Sequence, residues 1–322
     1  MNRRTARRIG RRLAEIGLTL LGVAVLVFIT LRVLPGDQIT ASLGVEAGDM
    51  SEGQLAALRT YYGMDQPIHL QFLSWLGSVL TGNLGIDRDT GQSVLQMTLS
   101  ALPITFELAV FATVIGLAIA IPLALVSASK PDGARDAVSQ TVGLVALAVP
   151  SFLLGSVLIA YVSKWFRYNP NSLGFARLTD DPWLNIQQLM FPALVLGFGL
   201  AAPIMRTART ALLEVQTQDF VRTARGKGVS PRRIRTRHVL RAALIPIVTM
   251  TGIQFGYLLG GAIVVEQLFS VPGLGRQVLL GIQQKEFAVV QSTVLVVALL
   301  FVLVNIATDW IYRVVDPRVR AT

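Results

Sequence analysis

The 322-residue sequence contains no cysteine, which excludes a disulfide framework, a thiolate metal site and a cysteine nucleophile. Histidine is nearly absent as well. His69 and His238 stand far apart, neither beside other ligand-type residues, so the sequence offers no pattern for a metal centre. Lysine occurs only at 130, 164, 227 and 285, and only Lys227 follows a glycine. The next residue is Gly228, where a phosphate-binding loop requires Ser or Thr. With no Walker A motif, the chain is expected to be no nucleotide hydrolase and to carry no nucleotide cofactor of its own. Charge of either sign is scarce, at 15% against 52% hydrophobic residues. The apolar residues fall in runs of about 20, the length that crosses a bilayer as a helix, and not in short amphipathic stripes.

Six such runs can be placed. Residues 1–12 hold six arginines and no acid, and the apolar run from Leu13 to about Val33 follows at once. It is longer than a signal core and no small-x-small cleavage site follows, so it reads as an uncleaved first span with a cytoplasmic N-terminus. Further spans are expected at about 102–126, 138–162, 189–205, 243–266 and 287–315. Pro150 marks a kink in the third. Between the first two spans, residues 36–95 are polar and mixed, and Leu55, Leu58, Tyr61 and Tyr62 form a short helical stripe. A small helical lobe on the outer face is expected there. Trp165, Tyr168 and Trp183 are candidate interface anchors. In the fifth span Gly252, Gly256 and Gly260, four apart, share a face that admits close helix packing, either within the chain or against a second subunit.

One stretch departs from this apolar background. From Arg206 to Arg241 there are ten Arg/Lys and two acids, a net +8 of the chain's formal +10. Residues 219–246 read as two short helices meeting at a corner. Gly228 tolerates the left-handed backbone at a helix C-terminus, and Ser230-Pro231 supplies an N-cap hydroxyl followed by proline at the first helical position. Placing this loop and both termini in the cytoplasm puts 21 Lys/Arg inside and eight outside, the asymmetry expected of that orientation.

The string Arg222-Thr223-Ala224-Arg225-Gly226-Lys227-Gly228, followed by His238-Val239-Leu240-Arg241 and Ala243-Leu244-Ile245-Pro246, resembles the "EAA" loop of the membrane subunits of ABC importers. Its form is similar to the dipeptide/oligopeptide (nickel) permease family, B-type subunit. Arg222-Thr223 stands where the wider consensus has Glu-Ala, and Arg241 where it has its first proline. Leu34-Pro35-Gly36-Asp37, Tyr62-Gly63-Met64-Asp65-Gln66-Pro67-Ile68, Gly82-Asn83-Leu84-Gly85, Ala148-Val149-Pro150-Ser151-Phe152, Glu266 to Arg276 and Asp316-Pro317-Arg318-Val319-Arg320 resemble further strings of the same family, in the family's order.

The resemblance implies an all-α integral membrane protein with the six-helix type 1 importer permease fold. The implied divisions are 1–35 (basic N-terminus and first span), 36–95 (outer lobe), 96–312 (permease domain, with a coupling loop at 206–241) and 313–322 (tail). It implies that Asp219, Phe220, Val221, Arg222, Thr223, Ala224, Arg225, Gly226, Lys227 and Gly228 dock on a separate ATPase. It also implies that Pro150, Ser151, Phe152, Gln254, Glu266, Phe269, Pro272 and Gly273 belong to the pathway or its gate, with Gly252, Gly256 and Gly260 in helix packing. The implied partners are a second, related permease chain in a heterodimer, two ATPase domains or subunits that bind ATP and Mg, an extracytoplasmic solute-binding protein and the lipid bilayer. The cargo class is di- or oligopeptides, with nickel, glutathione or another small solute as the alternative.

Two other classes compete. An ion-coupled secondary transporter calls for paired intramembrane ionisable groups or an inverted repeat, whereas Glu107 and Asp309 are isolated. A nucleic-acid-binding helix-turn-helix would be held between two spans with little linker to reach a groove, so no nucleic acid is expected as a partner.

Overall fold

The structure is a computed structural model and describes residues 3–33, 50–61, 64–88, 90–166 and 174–315. Thirteen helices account for nearly all of these residues: α1 (Arg3–Val33), α2 (Glu52–Tyr61), α3 (Ile68–Leu80), α4 (Val94–Ser127), α5 (Ala134–Ala148), α6 (Ser151–Phe166), α7 (Pro182–Gln216), α8 (Asp219–Gly226), α9 (Pro231–Ala242), α10 (Leu244–Gly261), α11 (Ile263–Leu268), α12 (Leu274–Gln283) and α13 (Phe287–Val315). Among the described residues the β-structure is one isolated bridge, Ile86 to Ser93. The strings at Leu34–Asp37 and Asp316–Arg320, along with Tyr62, Gly63, Tyr168 and the side chain of Asp309, lie outside the described residues.

Among the described residues four helices are long and apolar enough to cross a membrane, or up to six spans if each of two bent pairs counts as one. The first bent pair is α5 and α6, which meet at 94°. A kink at Pro150 was expected, and the chain breaks there instead. Proline removes a helix donor and drives the preceding residue out of the α region; Val149 is extended at φ −83° and ψ 117°. The second pair, α9 and α10, bends by 57° at Ala243.

The chain forms two compact units, Met1–Pro103 with Gly273–Val302 and Ile104–Pro272 with Leu303–Thr322. In the first unit, Leu31, Val278 and Val290 form a small apolar cluster with Val27, Phe287 and Val294 around it. Gln277 donates to Thr98 Oγ1 at 3.1 Å, and Ser292 donates to the Leu84 carbonyl at 3.2 Å.

The second unit is arranged around α7. This helix starts on an N-cap aspartate, with Asp181 Oδ1 accepting from the Leu184 N–H at 3.0 Å and Pro182 at the first position. It then runs for 35 residues through Pro192 and Pro203 and packs on α5, α6 and α10. Its approach to α4 is close, because a Cβ on Gly197 would lie 2.8 Å from the Ala112 carbonyl oxygen. The fourth span was expected to end near residue 205 and open into a loop. In the structure the helix continues for three more turns to Gln216. Arg206–Gln216 contains no breaker, and Ala208, Ala211, Leu212 and Val215 keep one apolar face turned to the core.

Candidate functional site

The basic stretch folds as α8, a corner and α9. Asp219 occupies the first turn of α8, where a carboxylate complements the positive end of the helix dipole. Val221 is the one fully buried residue of α8, and it joins an apolar cluster with Ala124, Ala128, Ala208, Leu212 and Val239. Burying that side chain contributes about 1.5–3 kcal/mol. Ala224 and Val229 pack on the same cluster. The short helix is therefore fixed to the ends of the long ones by its apolar face.

The corner closes by a Schellman motif. The Val229 N–H donates to the Ala224 carbonyl (3.2 Å), and the Gly228 N–H donates to the Arg225 carbonyl (3.0 Å). Gly228 takes the left-handed conformation this motif requires, at φ +75°. α9 then starts on Pro231. Ser230, expected to cap α9 with its hydroxyl, makes no side-chain cap bond. Its side chain is exposed. Within α9, residues Ile234–Val239 widen into a π turn. Five residues apart on a regular α-helix, Ile234 and Val239 would face about 140° apart. The wider turn brings both into the core, at 3% and 0% exposure.

Asp219, Phe220, Arg222, Thr223, Arg225 and Gly226 of α8 are exposed, as are Lys227 and Gly228 of the corner. Phe220 is 43% exposed among charged neighbours, an apolar anchor on a polar rim. The Arg222–Asp219 ion pair at 3.5 Å is open to solvent and holds little. Beside this face, Ser129, Gln216, Arg225, Pro231, Ile234 and Arg235 line an open cleft.

A part-buried ionic clamp underlies the loop, and sequence reasoning did not find it. The Arg209 guanidinium donates to both carboxylate oxygens of Asp136, from Nε to Oδ1 at 2.8 Å and from Nη2 to Oδ2 at 2.6 Å, and from Nε to Ser127 Oγ at 2.9 Å. Ser127 Oγ and Gln140 Nε2 donate to Oδ1, and the Asp132 N–H donates to Oδ2. Asp136 is 1% exposed. Gln216 Nε2 adds a bond to the Ala128 carbonyl at 3.2 Å. The clamp ties the ends of α4, α5 and α7 together directly behind α8. Residues 136 and 209 are 73 positions apart, and nothing in a single sequence pairs them.

The residues expected along the pathway lie on three stretches, the α5/α6 break, α10 and residues 266–273. Pro150, Ser151 and Phe152 are exposed at the α5/α6 break. Gln254 is half-buried on α10. Glu266 is wholly buried and accepts from Thr105 Oγ1 at 2.9 Å. Phe269 is 3% exposed in a cluster with Leu108, Val195 and Val271, Pro272 is half-buried and Gly273 is buried. The segment at Ser270 is a tight turn, with Ser270 at φ +54° and the Val271 N–H bonded to the Glu266 carbonyl at 2.8 Å. Of the glycine stripe, Gly252 packs within the chain, since a Cβ there would sit 2.5 Å from the Thr308 side chain. Gly256 is buried and Gly260 exposed. Glu107 accepts from Asn185 Nδ2 at 3.2 Å.

Comparison with known proteins bears on what such an arrangement serves. The sequence is 36% identical over 307 residues, 94% of this chain and 95% of the relative, to the glutathione transport system permease protein GsiC of Salmonella typhimurium (strain LT2). It is 32% identical over 312 residues, 96% of this chain and 98% of the relative, to the probable peptide ABC transporter permease protein y4tP of Sinorhizobium fredii. Residues 5–109 match the N-terminal component of binding-protein-dependent transport system membrane proteins. Residues 116–321 match the binding-protein-dependent transport system inner membrane component, and the chain belongs to that family.

Proposed function

We propose that this chain and a second, related permease chain form the translocation pathway of an ABC importer for di- or oligopeptides. Two ATPase domains or subunits, which bind ATP and Mg, dock on residues 219–228, and an extracytoplasmic solute-binding protein delivers the cargo. Both termini and the basic loop face the cytoplasm. The observation that carries this reading is α8. It is a capped helix with an exposed, charged outer face, Phe220 projecting from it, and an inner face set through Val221 into the ends of the long helices.

Such an element moves as a unit with the helices it is packed on. ATP-driven closure of the ATPases pushes the α8 helices of the two permease chains together, and the pathway opens to the binding protein. Hydrolysis resets it to face inward. This chain's own residues perform no chemistry. Their work is to hold α8 rigid and to pass its displacement to α4, α5 and α7.

The name of the Sinorhizobium relative supports a peptide cargo. The Salmonella relative favours a second reading, glutathione, itself a modified tripeptide. The test is uptake by the purified complex reconstituted in proteoliposomes, with labelled dipeptides, tripeptides and glutathione supplied in turn with the binding protein. ATP-dependent accumulation of peptides is the expected result. Accumulation of glutathione alone selects the second reading. Uptake that persists without ATP and collapses with a proton gradient would overturn the importer assignment.

A further inference from the structure

Helix α3 (Ile68–Leu80) contains no Asp, Glu, Lys or Arg, and both of its sides are apolar. At 13 residues it is about 20 Å long, too short to cross a hydrocarbon core of about 30 Å. One side is covered by α1. Phe72 and Trp75 meet Phe28 with ring centroids 5.2 and 5.5 Å apart. Arg32 lies over the Phe28 ring at 3.8 Å and donates to Gln71 Oε1 from Nε at 3.0 Å and Nη2 at 2.7 Å. The other side is bare. Leu70, Leu73, Gly77 and Leu80 fall within one arc of the helix, and the three leucines are 44%, 59% and 79% exposed.

The depth of α3 identifies what covers it. The apolar stretch of α1, Gly10–Arg32, is 23 residues long. It rises about 34 Å and so brings Arg32 to the membrane boundary at the end away from the arginine-rich terminus. Phe28 is one turn deeper, about 6 Å. A helix that touches both Arg32 and Phe28 lies between the headgroups and the first acyl carbons, the depth at which in-plane helices bury an apolar face. We infer that α3 is an interfacial helix whose Leu70, Leu73 and Leu80 insert among the acyl chains of the leaflet at the C-terminal end of α1. The inference rests on α1 being a membrane span.

The chain's lack of cysteine gives each variant one labelling site on this chain, and the unsubstituted complex, labelled alike, supplies the background. Nitroxides are placed by Leu73→Cys and Leu80→Cys, with Leu26→Cys, 66% exposed on α1, as the lipid reference and the exposed Glu52→Cys as the water reference. The whole complex is reconstituted in phosphatidylethanolamine–phosphatidylglycerol vesicles. Collision rates with oxygen, which partitions into lipid, are compared with those of a neutral nickel chelate, which stays in water. The expected ratio of oxygen to nickel accessibility at 73 and 80 is several-fold above that at 52 and approaches that at 26. Nickel-favoured collisions at 73 and 80 would overturn the inference and place this face in water. Low collision rates with both reagents would also overturn it, by showing a protein cover such as the second permease chain. A lipid reference that itself favours nickel would instead contradict the reading of α1 as a span.

Discussion

Replacing Arg209 with methionine is expected to lower the melting temperature of the detergent-solubilised complex by roughly 5–10 °C, through loss of an ion pair whose buried member stays behind. Asp136 is 1% exposed and takes its bonds from Arg209, Ser127, Gln140 and the Asp132 N–H. Methionine fills much of the volume of the arginine stem but leaves the carboxylate without its cation. Adding Asp136→Asn removes the stranded charge, and the double variant is expected to recover most of the loss. Fluorescence-detected thermal unfolding of the wild type, both single variants and the double variant supplies the cycle. An Arg209→Met protein as stable as wild type would show that the clamp holds nothing.

Gly228→Val is expected to reduce ATP-driven uptake by about tenfold while ATP hydrolysis continues. Nothing lies within 4 Å of a Cβ built at Gly228, so no side chain is displaced and the cost is confined to the backbone. At φ +75° an L-residue is disfavoured by about 1–2 kcal/mol, which lowers the ratio of intact to frayed corner by roughly five- to thirty-fold. A β-branched residue fits that conformation worst, alanine is intermediate, and asparagine tolerates it. Uptake in the order Gly, Asn, Ala, Val, measured beside ATPase activity in the same proteoliposomes, ties the effect to corner geometry. Equal uptake across the series would remove the corner from the mechanism.

Both experiments concern features that differ in how far the sequence shows them. The corner was readable because Gly228 and Pro231 each carry a backbone preference strong enough to act without tertiary help. The break at Val149-Pro150 was half readable, since proline announces an interruption but its angle is set by what the two segments pack on. The extension of α7 to Gln216 was obscured by charge. Arg206, Arg209 and Glu214 look like loop residues, yet they sit on a helix whose other face is apolar. Turns at Ser270 and Lys285 have φ of +54° and +60°, and without a glycine to mark them they left no signal. The Arg209–Asp136 clamp arises only when α5 and α7 meet. The residues assigned to the pathway by resemblance, such as Glu266 and Phe269, are bonded or packed inside the fold, which periodicity and motif order do not reveal.

The most direct test of the account is whether α8 touches an ATPase. Thr223→Cys on the exposed face of α8 and Glu52→Cys in the lobe after the first span each give the chain a single thiol. Each variant is purified with its partners and treated with a short thiol-directed photocrosslinker. A covalent adduct between an ATPase chain and position 223, absent from position 52 and changing in yield when ATP is added, is the predicted result. An ATPase captured from position 52, or none captured from position 223 in a complex that still transports, would contradict the assignment of residues 219–228 as the docking element.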